Sequence, residues 1–117
     1  MNIKKAKEFC RSLPGVTEDI KWGEHLVFCI GEKMFAVTDL DEKSTSIRFK
    51  AEDERFLELT DRPGITAAAY LARAKWINVE NIGKLSDAEA KELLRRAYEL
   101  IFAKLTKKLQ REIEGAA

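Results

Sequence analysis

The segment that most narrows what this chain can fold into is Leu26–Leu40, two apolar runs parted by two residues. Leu26–Ile30 is apolar throughout, Gly31-Glu32 interrupts it, and Lys33–Leu40 resumes with Met34, Phe35 and Val37. A two-residue connection that begins with glycine is the signature of a tight, II′-like hairpin, because glycine accepts the backbone angles such a turn requires. A hairpin commits its strands to antiparallel pairing. Asp41-Glu42-Lys43 then turns the chain into Ser44–Lys50, where Thr45, Ile47 and Phe49 alternate with Ser46, Arg48 and Lys50. That alternation predicts a strand with one face buried and one face wet.

Helices flank this group. Asn2 is placed to cap a first helix whose apolar residues Ile3, Ala6, Phe9, Cys10 and Leu13 recur at spacings of three and four, and Pro14-Gly15 ends it. Ala51–Asp61 reads as a shorter helix built around Phe56, Leu57 and Leu59, stopped at Arg62-Pro63-Gly64. Ile65–Leu71 and Lys75–Glu80 read as a second pair of strands joined near Ala72-Arg73-Ala74. Ser86-Asp87-Ala88-Glu89 is a capping box, and the apolar positions Ala90, Leu93, Leu94, Ala97, Ile101, Leu105, Leu109 and Ile113 predict one long helix after it.

The predicted order is therefore α-β-β-β-α-β-β-α, an α+β chain. Helices that each show a single apolar stripe cannot be sandwiched, so a two-layer arrangement follows, with an antiparallel sheet and the helices mainly on one face. The second sheet face is then open.

At 117 residues the chain fits a single domain, 1–117, with one core. Disorder is expected only in the Glu114–Ala117 tail. Twenty-one Lys and Arg against twenty Asp and Glu leave a formal charge of +1, which is no nucleic-acid footprint on the scale of the whole chain but permits a local basic stripe. No stretch approaches the roughly 18 apolar residues that span a bilayer, and Met1–Lys5 is followed by no apolar leader segment. Cys10 and Cys29 have neither a CxxC spacing nor the density of a secreted scaffold, so a reducing, cytoplasmic home is expected.

The residues carry no catalytic kit. His25, the sole histidine, has Glu24 and Asp19 near it in sequence, yet a metal site needs three or four converging ligands. Four residues of strand put Cys29 roughly 13 Å from His25, too far for a nucleophile pair. Cys10 lies on the apolar stripe of a helix and reads as core. Ser44, Thr45 and Ser46 lack a nucleophile elbow, and the glycines at 15, 23, 31, 64 and 83 form no phosphate-cradling run. No cofactor and no enzymatic activity are expected.

What remains is the open face. If Ile47 and Phe49 point to the helices, Ser46, Arg48 and Lys50 point away, and likewise Trp76 and Asn78 point away when Ile77 and Val79 point inward. Tyr70 is a candidate neighbour of Trp76. Aromatic faces stack on bases or sugars, and guanidinium groups pair with phosphate. The competing reading covers Trp76 with the Trp22–Glu24 segment as a satellite core. A second candidate is the basic end of the last helix, Lys104, Lys107, Lys108 and Arg111, where cations also complement the helix dipole.

Five motifs in order carry a family resemblance. Leu13-Pro14-Gly15-Val16-Thr17-Glu18-Asp19 with Trp22-Gly23, the hairpin Val27–Ala36, Arg62-Pro63-Gly64-Ile65-Thr66, the strand Lys75-Trp76-Ile77-Asn78-Val79, and the helix segments Leu85–Glu89 and Tyr98–Leu105 resemble the MmcQ/YjbR-type proteins over nearly the whole chain. The resemblance implies the α+β topology above and a DNA-binding role by likeness to a double-wing arrangement, in which paired hairpins grip nucleic acid. It implies no enzymatic activity, cofactor or catalytic residue. The family commonly has a basic-histidine run before its tryptophan; here Arg73-Ala74-Lys75-Trp76 stands there, so that imidazole's role is absent or passes to lysine.

Two functions follow as expectations. One is DNA binding through Arg48, Lys50, Arg73, Lys75, Trp76 and Asn78. The other is a protein–protein adaptor or chaperone-like domain using the same open face or the last helix. The expected partners are DNA or protein, not a membrane, and the expected state is a monomer or weak homodimer.

Overall fold

The computed structural model describes residues 1–116. Four helices and six strands follow one another as α1 (Ile3–Ser12), β1 (Val16–Lys21), β2 (His25–Ile30), β3 (Lys33–Asp39), β4 (Ile47–Lys50), α2 (Asp53–Thr60), β5 (Ile65–Ala67), β6 (Trp76–Val79), α3 (Asp87–Phe102) and α4 (Lys107–Ala116). Short 3-10 turns occupy Ala72–Ala74 and Ile82–Lys84. The strands form one sheet in the order β1-β2-β3-β4-β6-β5, antiparallel at every pairing. The α+β, two-layer expectation holds.

The helices lie against one sheet face. Phe28, Ile30, Ile47, Phe49, Ile77 and Val79 meet Ala6 and Cys10 of α1, Leu59 of α2, and Ala90, Leu94, Ala97 and Ile101 of α3 in one core. Phe35 is the extra residue of a bulge where β3 passes Phe28 and Cys29, which turns both Phe35 and Ala36 into that core. The opposite face carries a smaller cluster of Val27, Cys29, Val37, Ala68 and Trp76, partly covered by Met34 and Leu71.

Caps behave as their chemistry requires. Lys5 donates its backbone N–H to Asn2 Oδ1 at 2.8 Å, and Glu89 donates its backbone N–H to Ser86 Oγ at 3.1 Å. The return arm of the capping box is absent, since the Glu89 carboxylate accepts from Arg62 at 2.9 Å instead.

Several expectations are corrected. Val16–Lys21 is a strand, not a connection: it pairs with β2 along its whole length, so four strands precede α2. The β2–β3 turn has positive φ at both Gly31 (57°) and Glu32 (68°), which is the I′ pattern rather than II′. β5 stops at Ala67, and Ala68–Lys75 is a loop with a 3-10 turn. Leu57 of α2 faces water rather than the core.

The last helix is two helices. Gln110 donates its side-chain amide to the carbonyl oxygens of Phe102 (3.2 Å) and Leu105 (3.0 Å), which closes the end of α3. Thr106 Oγ1 then accepts from the Leu109 N–H at 3.2 Å and caps α4. Lys107 and Lys108 consequently occupy the first turn of α4, the end of a helix whose dipole disfavours cations. Glu114–Ala116 are helical, and Ala117 lies outside the described residues.

Candidate functional site

The face without helices is built by β2, β3, β4, β6 and β5, and its register follows from the pairing. Val37 lies opposite Arg48, Arg48 opposite Asn78, and Asn78 opposite Thr66, a row across four strands. The next row sets Lys50 opposite Trp76. Alternation along each strand therefore brings Arg48, Lys50, Trp76 and Asn78 to one face, as the sequence suggested.

Being on that face does not expose them all. Trp76 is only 4% exposed, packed with Val27, Cys29, Val37 and Ala68. The covering segment is Ala68–Leu71, not Trp22–Glu24, so an indole at 76 has no free face for a base. Lys50 is 7% exposed, with its Nζ 3.2 Å from Asp53 Oδ1. Lys75 takes a left-handed backbone conformation (φ 61°) and sets its Nζ 5.0 Å over the Phe56 ring. Arg73 is exposed on the 3-10 turn beyond Trp76.

Arg48 differs from the rest. Three arginines are half-buried, and two of them are paired: Arg55 with Glu58 and Glu92, Arg62 with Glu58 and Glu89. Arg48 is the one without a carboxylate partner among the described residues. It stands between two adjoining hollows. One, of about 490 Å³, is lined by Trp22, His25, Met34, Val37, Tyr70 and Leu71 as well as by Arg48. The other, of about 290 Å³, is polar and is bordered by Ser46, Thr66 and Asn78.

Two exposed aromatics stand on the rim of the larger hollow. Trp22 is 68% exposed at the β1–β2 turn, and Tyr70 is fully exposed in the loop after β5. Both hold positive φ, 53° and 65°, a conformation that costs a non-glycine residue roughly 1–2 kcal/mol. Neither ring recovers that cost by burial.

His25, the first residue of β2, lines the same hollow. Its Nδ1 is 3.1 Å from Asp39 Oδ1 across the β2–β3 pair, and Ser44 Oγ donates to Asp39 Oδ2 at 2.8 Å. A carboxylate only accepts, so Nδ1 carries the hydrogen and Nε2 is the ring atom left without a partner among the described residues. The Trp22 ring meets the imidazole edge-on at 5.8 Å. Ser44 contacts Asp39 rather than His25, so the three do not form a nucleophile relay. The acids adjacent in sequence, Glu24 and Asp19, are not the histidine's partners. Among the described residues no three His, Cys, Asp or Glu side chains converge on a point.

Both cysteines are buried and unbridged. Burial pushes the Cys10 thiol up to about 12, with Arg11 opposing and Glu18 adding to the effect. Burial also raises Cys29, with Lys21 opposing and Asp19 adding. Neither is a thiolate nucleophile at neutral pH. No helix of the described residues is long and apolar enough to cross a membrane.

Sequence reasoning placed Tyr70 near Trp76 but read Trp22 as part of a cover over Trp76 rather than as an exposed rim residue, and it missed the Asp39 partner of His25. The signal for Trp22 was the Trp22-Gly23 pair at a turn; the sequence put Tyr70 on the open face but did not bring it to the same hollow as Trp22.

Known proteins resemble this chain at the level of family and fold. A family model described as YjbR matches residues 11–100. A crystal structure of a Deinococcus radiodurans protein, whose family-model domain is DUF419, superposes with a TM-score of 0.85 at 27% identity, covering 97% of this chain and 88% of that one. A crystal structure of a Pseudomonas syringae protein shares the fold, with a TM-score of 0.69 at 20% identity over 86% of this chain and 99% of that one. No curated protein matches. The collinear motifs, the antiparallel six-stranded sheet with helices on one face, and a match over most of the length lead to one conclusion: the chain belongs to the YjbR family.

Proposed function

We propose that this chain is a nucleic-acid-binding module that works through the helix-free face of its sheet, with Arg48 at the centre of the contact. The observation that carries this reading is Arg48 itself, half-buried and unpaired beside two exposed aromatic rings. A guanidinium without a protein carboxylate is free to take a phosphate in a two-point hydrogen bond. Exposed aromatics that hold their place by a costly backbone conformation suit stacking on bases. Arg73 adds an exposed cation at the far end of β6. Two buried free thiols fit a reducing compartment.

The test is a salt titration of binding to short duplex and single-stranded DNA. Each phosphate contact on a duplex contributes a log–log slope of about −0.9. Arg48→Ala and Arg73→Ala each reduce the slope by about one contact. No binding of either DNA at about 50 mM salt overturns the proposal.

One observation favours a second reading, a protein partner. β1 is an edge strand whose outer hydrogen-bonding side is unpaired, and Ile20 on it is 57% exposed. An extended peptide can add to such an edge as a further strand. Ile20→Lys then abolishes a partner interaction that Arg48→Ala leaves intact, and the opposite pattern excludes this reading.

A further inference from the structure

The two hollows that meet at Arg48 differ in chemistry, and the difference defines a ligand. The larger is mostly apolar: Met34, Val37 and Leu71 contribute to it, with Trp22 and Tyr70 at its rim. Its volume, about 490 Å³, falls in the range of sites that enclose small molecules. The smaller, on the other side of Arg48, offers the hydroxyls of Ser46 and Thr66 and the amide of Asn78. A ligand that matches this surface has a planar apolar-faced ring at one end, an anion in the middle and hydroxyl or amide edges beyond. That is one nucleotide of a strand leading to the next: base, phosphate, following sugar.

We propose that the hollow bounded by Trp22, His25 and Tyr70 is a pocket for a single unstacked nucleotide, whose phosphate is held by Arg48. The ring is gripped by the exposed aromatics, which explains why two large side chains occupy left-handed positions without being buried. His25 contributes Nε2, with Asp39 fixing the ring's tautomer and orientation from behind. Asp39 is not among the residues that line the hollow; Arg48, which is, supplies the charge that holds the phosphate. The adjoining polar hollow takes the following sugar. A flipped-out or single-stranded nucleotide reaches such a pocket, whereas a base stacked in a duplex does not. This deepens the nucleic-acid reading and rests on it for the claim that the nucleotide belongs to a strand.

Fluorescence reads the pocket through Trp22, exposed at its rim, and Trp22→Phe separates that signal from the emission of buried Trp76. The probes are a 5′-mononucleotide, the matching nucleoside, inorganic phosphate and a single-stranded oligonucleotide. The mononucleotide quenches the signal with one-to-one stoichiometry, and Trp22→Phe removes the response. The nucleoside binds at least about tenfold more weakly, and Arg48→Gln erases that difference. Tyr70→Ala, at a fully exposed position that leaves the fold intact, weakens nucleotide and nucleoside alike.

Equal binding of nucleotide and nucleoside, or no quenching by either up to about 1 mM, overturns the pocket. Oligonucleotide binding that Tyr70→Ala does not alter and mononucleotide does not compete also overturns it, while leaving the surface reading of the preceding subsection in place. Mononucleotide binding without oligonucleotide binding does the reverse: it upholds the pocket with a free nucleotide as its ligand and overturns the strand-binding reading.

Discussion

Tyr98 donates its phenolic hydrogen to the carbonyl oxygen of Pro14 at 2.6 Å, joining α3 to the turn that leaves α1, 84 residues earlier. The same ring meets Phe35 edge-on at 5.6 Å and stacks on Phe102 at 6.0 Å. Tyr98→Phe keeps both ring contacts and strands a half-buried carbonyl. We expect a loss of about 1–2 kcal/mol in urea unfolding with an unchanged slope. A loss below about 0.3 kcal/mol shows that water replaces the hydroxyl fully.

Alkaline pH weakens the fold through two buried acids. Burial raises Cys10 from 9.0 to about 12. Burial, and then the charge of Glu114, raise Tyr98 above its usual 10.0. In both cases the folded state holds its proton to higher pH than the unfolded chain does. Their contribution is therefore complete below about pH 9 and is lost as pH rises through the folded values. Urea midpoints fall between neutral pH and about pH 10.5, and Cys10→Ala flattens that fall although it lowers the whole curve. A thiol reagent modifies neither cysteine of the native chain at a rate faster than unfolding.

Two hairpin glycines separate backbone conformation from space. At Gly31 (φ 57°) a Cβ would meet Leu105 Cδ2 at 2.6 Å and Leu109 Cδ2 at 2.9 Å. At Gly23 (φ 80°) it would meet nothing within 4 Å. Gly23→Ala costs about 1 kcal/mol, from the backbone alone. Gly31→Ala adds the displacement of two leucines that hold the α3–α4 corner against the hairpin, and costs about 2–4 kcal/mol. Equal costs would contradict the close approach at Gly31.

Trp76→Ala and Arg48→Ala exchange the roles that adjacent rows of one face suggest. Trp76 fills the satellite core, so its removal costs about 3–5 kcal/mol and any loss of binding follows from unfolding. Arg48 has no ion pair to lose, so its removal changes stability by less than about 0.5 kcal/mol. Thermal denaturation of the two variants decides between this assignment and an exposed, ligand-stacking Trp76.

Arg62 contributes to the acid limb of the stability curve. Its hydrogen bond, and then its charge, hold the Glu58 carboxyl below the usual 4.5, with Arg55 contributing less. A depressed folded value gives stability that is present above pH 4.5 and is lost as pH falls through it. Arg62→Met raises the pH at which acid unfolding begins, whereas Lys107→Met, with no carboxylate paired to it among the described residues, leaves that pH where it is.

Much of the architecture was legible because its causes are local. The cap at Asn2, the cap at Ser86, the Pro14-Gly15 stop and the alternation over Ile47–Lys50 all act within a few residues. The break of the last helix was not, since neither glycine nor proline marks Ala103–Thr106; only a capping threonine at 106 announces it, and the Gln110 amide that closes α3 acts through the fold. Val16–Lys21 escaped notice as a strand because its residues are mostly exposed and polar, with no inward apolar face to betray the period. The candidate site divided in the same way. Period two placed Arg48, Lys50, Trp76 and Asn78 on one face, yet it is blind to what covers that face.

The sequence alone determined the types of most elements, the antiparallel hairpin pairing and the helices on one sheet face, because periodicity and turn chemistry are short-range properties, and its motifs carried the YjbR resemblance. The tertiary structure decided which outward residues meet water. Ala68–Leu71 folds over Trp76, Asp53 takes the Lys50 ammonium, and Asp39 rather than Glu24 turns out to face His25. Exposure depends on a loop returning from elsewhere in the chain, and no window of neighbouring residues contains that information. Arg48 is left open because, among the described residues, no carboxylate returns to pair with it.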